Sequence, residues 1–363
     1  MDAMSSTSPA PREAESLLEA LARVAPGTPL RDGLERIVRA KMGALLVLAD
    51  DPAVLEICSG GFLLDAPFSP QKLSELAKMD GAIILSGDLT RIARANVHLV
   101  PDRSVTTVET GTRHRTAERV ARSLRAAVVS VSEEMSVINL YTGENKHQLQ
   151  EVGRLLDRAN QALQTLERYK VRLDDAMANL TALEVEDVVT LREVAAVVQR
   201  GEMVHRIAAE IETMIVELGI EARLLRLQLD ELYGEIDDEI DLVIADYLPG
   251  VLTAADTHQY MARLTDDDVL DLRKTAASVW PAGGAKDLDQ ALAPRGLRLL
   301  ARVPRMTDEA ARRISGYFGE LTKLQRATVA DLLVVPGVTP SQAQAIKDTL
   351  ERVVEATIME QYN

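Results

Sequence analysis

From roughly Lys146 to Tyr247 the chain carries almost no turn-forming residues, and apolar positions such as Leu149, Val152, Leu155, Leu156, Leu163 and Leu166 recur at helical spacing between charges. Such a stretch must be a helical spacer or bundle, so the 363 residues divide into a part before it, the spacer, and a part after it. The apolar share is ample at 47%, but aromatics are only 3%, so the cores must be built from Leu, Val, Ile and Ala. Cys58 is the single cysteine, which excludes an intramolecular disulfide framework and a cysteine-cluster metal site. A net charge of −15 excludes a cationic coat for indiscriminate nucleic-acid or membrane binding, so any phosphate site must be local. The start has no cationic segment followed by an apolar run, and no apolar stretch of about 18 residues follows, so the expectation is a cytoplasmic protein without a membrane span.

The pattern predicts a multidomain α+β chain. Residues 1–12, rich in Ser, Thr and Pro, are expected to be disordered. Residues 13–146 alternate helical stretches with β-rich runs: Gly43 to Asp50, Ala53 to Cys58, Ala82 to Gly87, Ala126 to Ser132 and Ser136 to Tyr141. Asp50-Asp51-Pro52 reads as a hairpin turn between the first two runs and Glu133-Glu134 as one between the last two, which predicts a mixed sheet. No GxGxxG or GxxxxGK[ST] occurs here, against a Rossmann or P-loop domain. Residues 147–295 form the all-α spacer, broken at Asp246 to Gly250, with a hinge at Trp280 to Gly284. Residues 296–363 hold a repeat: Val303-Pro304-Arg305-Met306-Thr307 with Ala311 and Ile314 recurs as Val335-Pro336-Gly337-Val338-Thr339 with Ala343 and Ile346, predicting two similar helix-turn-helix units. This segment has nine Lys or Arg against eight Asp or Glu, so the acidity lies elsewhere.

Three short segments carry chemistry. Asp80-Gly81-Ala82 stands between a helical stretch and a strand; it is either an Asp-Gly turn or a carboxylate presented where a ligand approaches closely. Gly111-Thr112-Arg113-His114-Arg115-Thr116 opens a helix, offering two guanidinium groups, two hydroxyls and free backbone N–H groups, as a polyphosphate cradle needs. The plainer reading is a capped helix start with surface arginines. Val131-Ser132-Glu133-Glu134 ends a strand with a hydroxyl and carboxylates.

With Asp80-Gly81-Ala82 and Arg113-His114-Arg115 about thirty residues apart, Val131-Ser132-Glu133-Glu134 after them, and a spacer and a tandem helix-hairpin-helix following, the chain resembles the DisA-type diadenylate cyclases, the DNA integrity scanning family. The resemblance covers essentially the whole chain and rests on Asp80-Gly81-Ala82 and Arg113-His114-Arg115. It implies a diadenylate cyclase domain with a mixed central sheet. That domain is a nucleotidyltransferase that condenses two ATP to cyclic di-AMP and two pyrophosphates with Mg²⁺ or Mn²⁺. Asp80 then binds the metal or activates the ribose 3′-hydroxyl, and Arg113, His114 and Arg115 act at the phosphates. Gly81, Ala82, Leu99, Gly111, Thr112, Thr116 and Ser132 line the ATP site. The two equivalent links of the product require facing sites, and the family forms homo-octamers. The spacer stripe either supplies oligomer contacts or closes an intramolecular bundle. In the C-terminal repeat, Gly337, Val338 and Thr339 match the hairpin turn that meets a DNA phosphate without reading sequence, while Arg305 departs from it and casts the first copy as a packing partner. A purely structural cap is the other reading of that repeat. The implied setting is DNA damage and repair on branched DNA, in the cytoplasm with access to the nucleoid. A branched-DNA-binding scaffold that binds ATP without cyclising it is the alternative, and the intact motifs favour the cyclase.

Overall fold

The computed structural model describes residues 16–248, 253–279 and 287–361. The expected disorder of residues 1–12 and the expected hinge at Trp280 to Gly284 fall outside the described residues, as does the end of the break expected at Asp246 to Gly250. The chain divides into two units, Met1–Asn160 with Glu212–Arg226, and Gln161–Ile211 with Leu227–Asn363.

The first unit runs α1 (Leu17–Arg23), α2 (Pro29–Arg39), β1 (Ala44–Val47), α3 (Pro52–Glu56), β2 (Cys58–Ser59), β3 (Phe62–Pro67), α4 (Pro70–Leu76), β4 (Ala82–Leu85), β5 (Arg91–Leu99), α5 (Thr112–Leu124), β6 (Val128–Val131), β7 (Ile138–Thr142) and β8 (Asn145–Gln148). The sheet order is β2-β5-β4-β1-β6-β7-β8, with β3 paired to β5. Among the described residues only β1 and β4 pair in parallel and the other strand pairings are antiparallel, so the sheet is mixed. Strands β1, β4 and β6 are buried at every residue, because alternate side chains go to opposite covered faces. Leu46, Ile83 and Val129 pack with Leu21, Leu34 and Leu73 of α1, α2 and α4. Leu45, Val47, Ile84 and Val128 pack with Val54 of α3 and with Ala117 and Val120 of α5.

The hairpin expected at Asp50-Asp51-Pro52 does not form. Asp51 caps α3, its carboxylate accepting the Val54 N–H at 3.1 Å, and Pro52 occupies the first helical position, where its missing N–H costs nothing. Most of the Ala53 to Cys58 run is therefore helix. The same device, a Ser or Thr cap followed by Pro, starts α2 at Thr28 and α4 at Ser69. The hairpin expected at Glu133-Glu134 is present, joining β6 and β7 in register from Val131↔Ile138 to Val128↔Tyr141. Three strands lie beyond the expected runs: β3 and β5, which build one side of the sheet, and β8, which pairs with β7 at its other edge.

Helices follow: α6 (Val152–Glu186), α7 (Leu191–Leu218), a short 3₁₀ turn (Gly219–Ala222), α8 (Arg223–Tyr233), α9 (Ile236–Tyr247), α10 (Ala254–Met261), α11 (Asp266–Leu270) and α12 (Leu272–Val279). The last segment holds α13 (Leu297–Ala301), α14 (Asp308–Phe318), α15 (Leu321–Arg326), α16 (Val329–Leu333) and α17 (Pro340–Gln361). Both copies of the repeat share one core, in which Val303, Ala311 and Ile314 meet Val335, Ala343 and Ile346. Arg305 has φ +61° and Gly337 φ +84°, so the first copy keeps the left-handed turn of the second despite losing its glycine. Within the second unit, Arg298 of α13 forms a buried ion pair with Glu184 of α6, and Glu184 also accepts the Tyr247 hydroxyl at 2.6 Å. Asp246 accepts the N–H groups of Leu297 at 2.6 Å and Arg298 at 2.9 Å; burial nevertheless pushes its carboxyl up to about 6. No helix among the described residues is long and apolar enough to cross a membrane.

Candidate nucleotide site

Topology collects the three sequence segments at one end of the sheet. Strands β1 and β4 run in parallel and start there, while β6 runs against β1 and ends there. Asp80 and Gly81 thus lie just before β4, Gly43 just before β1, and Ser132 just after β6. The register Ala82↔Val97 places Leu99 beyond the start of β4, at the same end.

Arg113 joins the segments. Its Nη2 lies 3.0 Å from Asp80 Oδ1 and its Nη1 lies 3.8 Å from Glu133 Oε2. Asp80 holds this position with its side chain 94% exposed, so it is free to meet a ligand at little desolvation cost. Gly43 is what lets the guanidinium lie there: a Cβ on Gly43 would stand 2.2 Å from Arg113 Nη1 and 3.4 Å from the Val131 carbonyl oxygen. Sequence reasoning includes Gly43 only as the first residue of a strand run. A Cβ on Gly81 would be 2.5 Å from the backbone of Asn96 in β5. Its smallness admits the neighbouring strand, whose Asn96 adopts φ +54°. Ala82 is buried in the sheet.

Gly111 is the N-cap of α5 and gives no side-chain cap, leaving the first-turn N–H groups uncapped from that position. Thr112 and Arg115 are exposed on the first turn, and the Thr116 hydroxyl donates to the Thr112 carbonyl at 2.9 Å. Ser132 is half-buried, and its Oγ accepts the Met135 N–H at 3.3 Å. The Leu99 side chain is buried, with its backbone paired to Cys58. The segment leading to α5 is fixed from the helix: Glu118 accepts the Val108 N–H at 3.2 Å, and Arg119 and Arg122 donate to the carbonyls of Val105 at 3.0 Å and Thr106 at 2.8 Å.

His114 turns from Arg113 toward the sheet. Its Nδ1 lies 3.0 Å from the Tyr141 hydroxyl and 3.2 Å from Ser130 Oγ, and Tyr141 reaches Glu109, which pairs with Lys146 at 2.6 Å. Burial is the strongest influence on His114 and lowers its basicity, with Lys146 and Arg113 adding to it against the pull of Glu109. Burial raises Glu109, but Lys146 and the Tyr141 hydroxyl more than offset that and hold its carboxyl below the usual range. None of Tyr141, Glu109, Lys146 and Ser130 stands out in the sequence, because they come from β6, the β7–β8 hairpin and a loop, and share no local motif.

The described residues contain no cluster of three or more His, Cys, Asp or Glu side chains able to hold a metal. A Mg²⁺-type ion bound by one or two carboxylates and otherwise by phosphates fits the exposed carboxylate of Asp80.

In the C-terminal hairpin, Gly337 and Thr339 are exposed and Val338 is half-buried. The Val338 N–H donates to the Val335 carbonyl at 3.2 Å and the Thr339 N–H to Gln342 Oε1 at 3.0 Å.

Three family models match the chain: DisA bacterial checkpoint controller nucleotide-binding over residues 31–146, DisA bacterial checkpoint controller linker region over 149–280, and SAM-like helix-hairpin-helix tandem over 297–352. The DNA integrity scanning protein DisA of Frankia alni is 51% identical over 345 residues, covering 94% of this chain and 96% of its own. That of Acidothermus cellulolyticus is 50% identical over 353 residues, covering 96% of each chain. That of Kineococcus radiotolerans is 49% identical over 353 residues, covering 96% of this chain and 98% of its own. A nucleotide-binding domain with Asp80 and Arg113 joined across it, a helical linker and a helix-hairpin-helix tandem follow one another in that order, and the chain belongs to the DisA family.

Proposed function

We propose that this protein is a diadenylate cyclase that condenses two ATP to cyclic di-AMP and two pyrophosphates across a face-to-face pair of protomers within a cytoplasmic homo-octamer, under the control of branched DNA bound at its C-terminus. The observation that carries the reading is the meeting of Asp80 with Arg113 at the uncapped start of α5, 3.0 Å apart although distant in sequence. An anion at that helix start gains from the N–H groups, from Arg113 and from Arg115, while Asp80 supplies the opposite charge for a hydroxyl or a cation. Asp80 with the nucleotide phosphates would hold Mg²⁺ or Mn²⁺, whose charge would stabilise the departing pyrophosphate. In the other role open to it, Asp80 orients the 3′-hydroxyl and takes up its proton. Arg113 and Arg115 hold the phosphates, with Thr112, Thr116 and Ser132 as further hydroxyls and Leu99 at the adenine edge. One ATP per site completes a ring of two identical links only when a second site faces it.

Purified protein incubated with ATP and Mn²⁺ should yield cyclic di-AMP on chromatography, with a rate that changes on adding a four-way DNA junction. ADP alone, or bound and unchanged ATP, would overturn the cyclase reading. Gly43→Ala is expected to drive the Arg113 guanidinium off Asp80, since a flexible tip yields before a buried strand does. ATP affinity should fall by about tenfold, as for loss of one charge-assisted contact, with the melting temperature little changed.

At the DNA end, the Gly337 N–H is the amide of the turn that Val338 and Thr339 leave for a phosphate, and Arg313 lies against the same glycine. Gly337→Ala places a side chain at φ +84° and 3.1 Å from Arg313 Nη2, at a cost of about 1–2 kcal/mol. Junction binding measured by fluorescence anisotropy should weaken, while ATP binding stays as it was.

A further inference from the structure

The contacts behind His114 have a direction. Lys146 has no acceptor to offer, so Glu109 is the acceptor in their 2.6 Å pair, and it also accepts the Tyr141 hydroxyl hydrogen at 3.2 Å. A phenol has one hydrogen. With that hydrogen committed to Glu109, the Tyr141 oxygen is the acceptor toward His114 Nδ1 at 3.0 Å, and Nδ1 must carry a hydrogen. Ser130 Oγ, fully buried at 3.2 Å from the same nitrogen, is compatible with that state as a second acceptor. The ring is thereby left with Nε2 as its lone-pair nitrogen when neutral, the form that burial favours. The imidazole edge carrying Cδ2, the neighbour of Nε2, faces Gly111 at the start of α5, where an added Cβ would be 3.3 Å away.

We infer that Tyr141, Glu109 and Lys146 are positioning residues that fix His114 in its Nδ1–H form, so that Nε2 meets bound ATP as an acceptor for a ribose hydroxyl. This rests on the nucleotide reading above. Ionised phosphates offer only acceptors, which a bare Nε2 repels. The donors of ATP are its two ribose hydroxyls and the adenine amino group, and the hydroxyls are the ones next to the phosphates. The Arg113-His114-Arg115 motif then divides its work: the two arginines hold the anion and the histidine reads the sugar.

The test uses the full-length protein and α,β-methylene-ATP, which cannot release pyrophosphate, with its 2′-deoxy and 3′-deoxy forms. Calorimetric titration should show that His114→Ala weakens binding of the parent nucleotide by about tenfold, the effect of one lost hydrogen bond in a polar site, and leaves one of the two deoxy forms unaffected. Long-range ¹H–¹⁵N spectra of protein labelled at histidine should show the His114 resonances, identified by their loss in His114→Asn, in the Nδ1–H pattern. Tyr141→Phe, and independently Glu109→Gln, should turn that pattern into a tautomer mixture and weaken parent binding without changing that of the insensitive deoxy form. An Nε2–H pattern in the unmodified protein, or equal weakening of all three nucleotides by His114→Ala, overturns the inference. Failure of the unmodified protein to bind any of the three overturns the nucleotide reading itself, whereas the spectra decide the tautomer independently of any nucleotide.

Discussion

Asp80→Asn is expected to abolish cyclic di-AMP formation while leaving the folded protein as it is. The amide has the shape of the carboxylate but cannot take up a hydroxyl proton and, lacking the charge, holds a divalent cation far more weakly; loss of a proton acceptor in such a step costs on the order of 10²–10⁴ in rate. Stability should barely change, because the Asp80 side chain is 94% exposed and the Arg113 pair is partly solvated, a kind of ion pair contributing about 0–1 kcal/mol. Product assay by chromatography, thermal denaturation and light scattering on one preparation separate the cases. A loss of assembly or a large fall in melting temperature would make Asp80 a structural residue.

The second large effect concerns the far end of the chain. Glu184→Ala should destabilise the second unit by about 3–5 kcal/mol, because it leaves Arg298 charged, buried and without its carboxylate partner. Tyr247 would lose its acceptor at the same time. The double variant Glu184→Met with Arg298→Met, which removes both charges and keeps volume, should recover most of that loss. Calorimetric melting of the three proteins decides it; equal destabilisation in single and double variants would show that the pair acts through shape alone. The same network means that deleting Gly296 to Asn363 is not a neutral cut. The deletion strips Glu184 of Arg298 and Asp246 of its two N–H donors, and uncovers Ala245, which packs on the C-terminal core. Point variants at the hairpin turn are the cleaner test of DNA control.

Local chemistry makes much of this legible. The helical spacer, the repeat with its buried Val, Ala and Ile positions, and the mixed sheet each follow from periodicity or from a turn signal a few residues long. Asp51-Pro52 misleads because Asp-Pro serves both turns and helix starts, and only the Val54 N–H, accepted by Asp51, distinguishes them. Strand β3 is invisible in sequence because almost all of it is exposed, so it shows no buried stripe, and β5 because charges and a left-handed Asn96 interrupt its alternation. At the site, Asp80 and Arg113 announce themselves through residue type. Gly43 and Tyr141 do not, since their roles are steric and second-hand and arise only when β1, β7 and α5 are brought together.

The pairing of β1 also bears on how the chain is made. This strand lies at the centre of the sheet with all four residues buried, yet its neighbours are β4 and β6, so Ala44 waits for Val131 and Leu46 for Ile83. At a synthesis rate of about 5–20 residues per second, Leu45, Leu46 and Val47 emerge many seconds before Val128 to Val131 exist to cover them. A short, uncharged and wholly apolar segment is then exposed on the ribosome. Nascent-chain aggregation, and any dependence on a chaperone during synthesis, should therefore concentrate on Ala44 to Val47 and end once β6 has been added.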